Sequence, residues 1–197
     1  MNVLNEKWFS RIHHPSRYVG NEINAVKKDP SGMEVSMALA FPDVYEVGMC
    51  HVGLKILYDL LNRPPWLAAE RVYCPWTDLE KALRDRRLPL TTMESGRSLT
   101  DLDIVGFSLQ HELSFTNVLT MLDLCGIPFF SEERKEAFPL IIAGGPACFN
   151  PEPVALLFDA MVIGDGERAA MEICETVRES KKRHATKSET LRALSRI

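Results

Sequence analysis

Four short stretches hold most of the residues in this chain that could do chemistry. Phe41-Pro42-Asp43-Val44-Tyr45-Glu46-Val47-Gly48 follows an apolar run at 35–40 and sets a carboxylate, a phenol and a glycine at Asp-x-Tyr-x-x-Gly spacing. Imidazole is a good ligand for a transition metal and a neutral phenol a poor one, so this loop offers no imidazole for a protein–metal bond. Ser108 and Gln110 close another apolar run; the Ser108 hydroxyl could serve a ligand's amide or phosphate. Gly144-Gly145-Pro146 follows a third run, and missing side chains there would let a flat ligand lie on the backbone. Gly164-Asp165-Gly166-Glu167-Arg168-Ala169 has the G-x-G-x-x-A pattern that seats a dinucleotide pyrophosphate at a strand-to-helix turn.

Each stretch also has a plainer reading. Gly144 and Gly145 could serve only a tight turn, since glycine reaches positive φ cheaply. Ser108 could cap a backbone group. His111 reads as a surface histidine, and His13, His14 and His184 lie in polar segments without partners. His51 could either make local bonds at a helix start or reach a ligand. A dinucleotide site needs a following strand with an acidic residue about 20 positions on. Here the expected helix runs into Ser180-Lys181-Lys182-Arg183-His184-Ala185-Thr186-Lys187, which is polar and basic. No G-x-x-x-x-G-K-[ST] loop occurs.

The background composition is that of a soluble globular protein: 197 residues, 46% hydrophobic, 25% charged, net charge −4. No basic excess points to nucleic acid. No apolar run approaches the roughly 18 residues that cross a membrane, and positions 1–10 show no apolar signal core. Cys50, Cys74, Cys125, Cys148 and Cys174 form no C-x-x-C pair; they read as reduced core thiols of a cytoplasmic protein.

The elements that must position these stretches alternate. Strands are expected at 33–41, 70–74, 103–109, 139–143 and 158–163. Helices are expected at 48–61, from a Thr77 or Asp78 cap to about Arg86, at 114–125 before the C-cap Gly126, at 153–157 as a short piece, and at 167–180. A short extended piece is expected at 90–93 and a helical-looking end at 188–197. Alternating β and α with uniformly apolar strands implies a doubly wound, mainly parallel five-stranded sheet, flavodoxin-like, of order 2-1-3-4-5. All four stretches then fall at the strands' carboxyl ends, where ligands bind in open α/β sheets. The expected organisation is an N-terminal extension at 1–32, the α/β domain at 33–180 and a linker at 181–197.

Taken in order, Asp43-Val44-Tyr45-Glu46-Val47-Gly48, Val105-Gly106-Phe107-Ser108-Leu109-Gln110, Ile142-Ala143-Gly144-Gly145-Pro146 and Val162-Ile163-Gly164-Asp165-Gly166-Glu167 resemble the N-terminal cobalamin-binding-type domain of B12-binding radical SAM proteins. The chain also resembles a subfamily whose members begin with Tyr-x-Gly-x-Glu-x-Asn, which stands here as Tyr18-Val19-Gly20-Asn21-Glu22-Ile23-Asn24. The resemblance spans about residues 15–180. It implies a Rossmann-like fold and cobalamin as the cofactor, with Asp43, Tyr45, Gly48, Ser108, Gln110, Gly144, Gly145, Pro146, Gly164, Gly166 and Glu167 as binding positions. Tyr45 stands where such domains carry the cobalt-ligating histidine, so no histidine ligand is expected. The resemblance further implies a C-terminal radical SAM domain of the same polypeptide as partner. That domain would hold the 4Fe-4S cluster and S-adenosylmethionine through C-x-x-x-C-x-x-C, a spacing this chain lacks. The alternatives are an interaction or scaffold domain with an empty crevice, and a nucleotide or flavin binder.

Overall fold

The computed structural model describes residues 7–197; the first six residues of the N-terminal extension lie outside the described residues. The strands are β1 (Val35–Phe41), β2 (Leu67–Tyr73), β3 (Ile104–Ser108), β4 (Leu140–Gly144) and β5 (Ala160–Met161). They form one all-parallel sheet in the order β2-β1-β3-β4-β5, so the doubly wound α/β fold is as the sequence implies. The helices are α1 (Tyr45–Cys50), α2 (Val52–Asn62), α3 (Thr77–Arg86), α4 (Phe115–Leu124), α5 (Gly166–Lys182) and α6 (Lys187–Leu194).

The sheet is covered on both faces, which is why its strands read as continuous apolar runs. All seven residues of β1 are buried. Strand alternation divides them. Ala38 and Ala40 pack with residues of α3 and α4 on one face, and Met37, Leu39 and Phe41 pack with α2 and α5 on the other. Residues 7–32 contribute no strand; Phe9 and Ile12 are buried on the α3 side.

The elements differ from the sequence reading at five places. The single helix expected over 48–61 is two, broken at His51 (φ −72°, ψ 115°). The apolar spacing runs straight through this break, so periodicity cannot show it. Neither Thr77 nor Asp78 caps α3: Trp76 holds that position without a side-chain bond, and Asp78 instead accepts the backbone N–H of His13 at 2.6 Å. The extended piece at 90–93 is reduced to one bridge, Thr91 to Ser98. The short helix expected at 153–157 is a single 3-10 turn, Ala155–Leu157. Strand β5 is two residues long instead of six. Just before it, the Asp159 carboxylate takes the Ile141 N–H at 2.8 Å, so a side chain replaces a ladder bond.

Within segment 181–197 the helical-looking end forms α6. Thr186 and Glu189 cap its first turn reciprocally, and Thr190 and Leu194 are buried. Lys187 reaches the fully buried Asp159 side chain at 2.7 Å. Arg134 meets the same carboxylate at 3.0 Å, and Ser131 donates its hydroxyl to it.

Candidate functional site

Five strands ending side by side leave a crevice between the α2 and α5 layer and the carboxyl ends of β1, β3 and β4. Ser108, Gln110, Gly144, Gly145, Gly164, Gly166 and Glu167 line it, together with His51. Its inner wall is apolar: Met37, Leu39, Leu57, Ile142, Val162 and Ile173. The enclosed volume is about 180 Å³. Pockets for whole drug-sized ligands run from about 300 to 1,000 Å³. This one admits a flat ring, and the rest of a larger ligand would lie across the rim.

The glycines there divide into two kinds. Gly145 has φ +108°, and a Cβ on it would come within 2.6 Å of the Leu109 carbonyl oxygen, so its own fold demands glycine. Gly144 has no such demand: a Cβ there would meet nothing closer than Val162 at 3.7 Å. Gly166 is similar, with Leu57 at 3.9 Å. Packing therefore accounts for Gly145 and leaves Gly144 and Gly166 as open floor. Pro146 begins the 3-10 turn that follows. Neither the Ser108 hydroxyl nor the Gln110 amide makes a hydrogen bond among the described residues, so both remain available. Helix α5 opens at the crevice, and Asp165 gives it no side-chain cap. Its first N–H groups are thus free to meet an acceptor.

The Asp-x-Tyr-x-x-Gly stretch is held apart from this crevice. Tyr45 is the first residue of α1 rather than a loop residue. Its phenol donates to Glu22 Oε1 at 2.9 Å, and its ring meets the edge of Tyr73 at 5.4 Å. Burial, with the Glu22 carboxylate beside it, pushes the phenol up to about 12, so it stays neutral near pH 7. Gly48 is required by packing, because a Cβ would overlap the Tyr73 ring at 2.4 Å. Asp43 accepts its neighbour's N–H at 2.7 Å, and its carbonyl accepts from Cys74 at 3.0 Å.

His51 stands in the crevice wall instead. Its Nδ1 accepts the Leu54 N–H at 3.1 Å, capping α2, and its ring lies 5.3 Å from Phe41. An imidazole that accepts through Nδ1 carries its proton on Nε2. Metal binding through Nε2 would require the other tautomer and would break this cap. The local bond and a place in the crevice wall, treated as alternatives in the sequence, coexist.

Among the described residues no group of three or more histidine, cysteine or acidic side chains could hold a metal. The cysteines are dispersed over separate elements, and all are free thiols. Burial pushes Cys74 and Cys174 up to about 12 and Cys125 and Cys148 up to about 11. Thiolates are the reactive species. A thiol-exchange reagent at pH 8 should therefore modify one cysteine quickly, the exposed Cys50. The other four should react only after unfolding; rapid release of two or more equivalents by the folded chain would contradict this burial.

The dinucleotide alternative loses its second half. Strand, G-x-G turn and helix are all present, but α6 follows α5 and no further strand appears among the described residues. Fold and crevice thus define a doubly wound α/β domain with an open crevice at its carboxyl edge. Residues 53–197, more than half of the chain, match the family model described as "Radical SAM proteins, N-terminal". The chain belongs to that family. The match takes in β2 to α6 with Ser108, Gly144, Gly145 and Glu167, and begins after the Asp-x-Tyr-x-x-Gly stretch. No curated protein and no solved structure matches the chain. No helix among the described residues is long and apolar enough to cross a membrane.

Proposed function

We propose that the chain is a corrinoid-binding-like accessory domain of a radical SAM enzyme, itself without a catalytic residue. The observation that carries the reading is the crevice floor. Gly144 lies bare where packing would tolerate a side chain, beside an apolar slot of ring size. Cobalamin fits this chemistry: a flat heteroaromatic base suits the slot between Leu39, Ile142 and Val162, and a macrocycle suits a glycine rim. Ser108, Gln110, Gly145, Pro146, Gly164, Gly166 and Glu167 would hold it, and Asp43 would act through the loop that it caps. Tyr45 and Gly48 would act through packing, by fixing α1. A bound corrinoid would supply a redox-active cobalt centre. The chain's own part is to bury its base, offer the Ser108 hydroxyl and α5 N–H groups, and keep water from the slot.

The partner in this reading is the catalytic domain of the same polypeptide, which would carry the 4Fe-4S cluster and S-adenosylmethionine. Leu113, Phe149 and Ile163, in the loops after β3, β4 and β5, are 86%, 71% and 58% exposed. Apolar residues gathered at one end suit a covering surface. The test is titration with hydroxocobalamin followed by absorbance. The wild-type chain should bind, and Gly144→Val should abolish binding while melting within a few degrees of the wild type. Binding that survives Gly144→Val would remove the crevice as the site.

A further inference from the structure

A second cavity, of about 670 Å³, lies on the other side of α2 from the crevice, under residues 22–26 of the N-terminal segment. Helix spacing explains the division. Gly53 and Leu57 face the crevice, while Leu54 and Tyr58 face this cavity. It holds two buried donors whose hydrogen-bonding capacity is not used. Tyr73 is 4% exposed, and its hydroxyl has no partner. Arg71 is 7% exposed. Its Nε donates to Glu94 at 2.6 Å and its Nη2 to Glu22 at 2.7 Å, but Nη1 finds only the Met49 thioether, at 3.5 Å. Its guanidinium also stacks on Tyr58, 4.9 Å from the ring centre. A thioether is a weak acceptor, and a buried unpaired hydroxyl costs about 1–3 kcal/mol.

We propose that this cavity is a subsite for a neutral primary carboxamide. Tyr73 Oη and Arg71 Nη1 donate to its carbonyl oxygen, and Glu22 accepts from its amide N–H. The charge balance selects the class. Glu22 and Asp59 in the walls, with Glu94 behind Arg71, outnumber the cations Arg71 and Lys55 by one, so a further anion is repelled. A ligand without an acceptor leaves the two donors as they are. A carboxamide supplies both an acceptor and a donor. This rests on the corrinoid reading above, because a corrin periphery carries such amides. It also gives a purpose to Glu22 of the Tyr-x-Gly-x-Glu-x-Asn segment, which joins Tyr45 and Arg71 across the cavity.

The experiment compares the wild type with Tyr73→Phe, which keeps the ring on Gly48 and removes only the hydroxyl. Hydroxocobalamin is titrated into each by absorbance, and each is melted without ligand. Affinity should fall roughly tenfold in Tyr73→Phe, while the ligand-free variant melts at the wild-type temperature or above it. A set of cobalamins with one peripheral amide hydrolysed to a carboxylate provides a second arm. One member should bind the wild type at least tenfold more weakly than the parent, and Tyr73→Phe should narrow that gap. Equal affinity of wild type and Tyr73→Phe, or no discrimination within the set, overturns the subsite and leaves the corrinoid reading standing. No binding to the wild type overturns both.

Discussion

Asp159→Asn should destabilise the chain by about 3–5 kcal/mol, the usual cost of leaving buried cations without their partner. The Asp159 side chain is fully buried and takes Arg134, Lys187, Ser131 and the Ile141 N–H together. Burial alone would raise its carboxyl, but the Ile141 N–H and Lys187 outweigh this and hold it below the ordinary aspartate value. A depressed folded-state value means that the stabilisation is complete above the unfolded pKa, about 3.9, and is lost as pH falls through the lower folded value. The wild type should therefore keep α6 docked at pH 5 and lose it only in strong acid. Asp159→Asn should lack this acid transition and melt far lower at neutral pH. Denaturant unfolding at pH 7, with amide exchange across 187–194, checks both statements. A loss under 1 kcal/mol would mean that the cluster contributes little to the fold.

Gly145→Ala and Gly144→Ala should differ sharply although they are neighbours. Alanine at 145 would take a left-handed φ of +108° and press on the Leu109 carbonyl at 2.6 Å. That carbonyl accepts the Ala147 N–H at 3.1 Å, so the shift would spread into the turn. A loss of about 1–3 kcal/mol follows from the strained backbone alone, with the clash adding to it. Alanine at 144 meets ordinary contacts and should change stability by under about 1 kcal/mol. Equal losses at the two positions would show that the bare floor at 144 is structural and has no bearing on a ligand.

The sheet was legible because burial on both faces leaves its mark on each strand. Seven buried residues in β1 and four in β4 read as apolar runs, and right-handed crossovers leave few orders for five such strands. The edge was less legible: at β5 a single side chain, Asp159, takes over a bond that sequence pattern assigns to backbone. The helix break at His51 was invisible because Met49, Val52 and Ile56 continue one apolar rhythm, while the break depends on an imidazole bond. In the site, Ser108, Gln110 and the glycine turns were readable because each ends a strand. The place of Tyr45 was not, since its partner Glu22 lies 23 residues away. The fixed segment around Glu22 was the one sequence hint of that contact.

The crevice is proposed to hold a corrinoid without a protein ligand to the metal. The most direct measurement is electron paramagnetic resonance of the chain loaded with cob(II)inamide, which lacks a nucleotide base of its own. Any axial nitrogen splitting would then come from the protein. Tyr45 is tied to Glu22, and His51 spends its Nδ1 on the α2 cap, so the spectrum should show binding with no nitrogen coupling. An axially nitrogen-split spectrum in the wild type that disappears in His51→Ala would contradict the account.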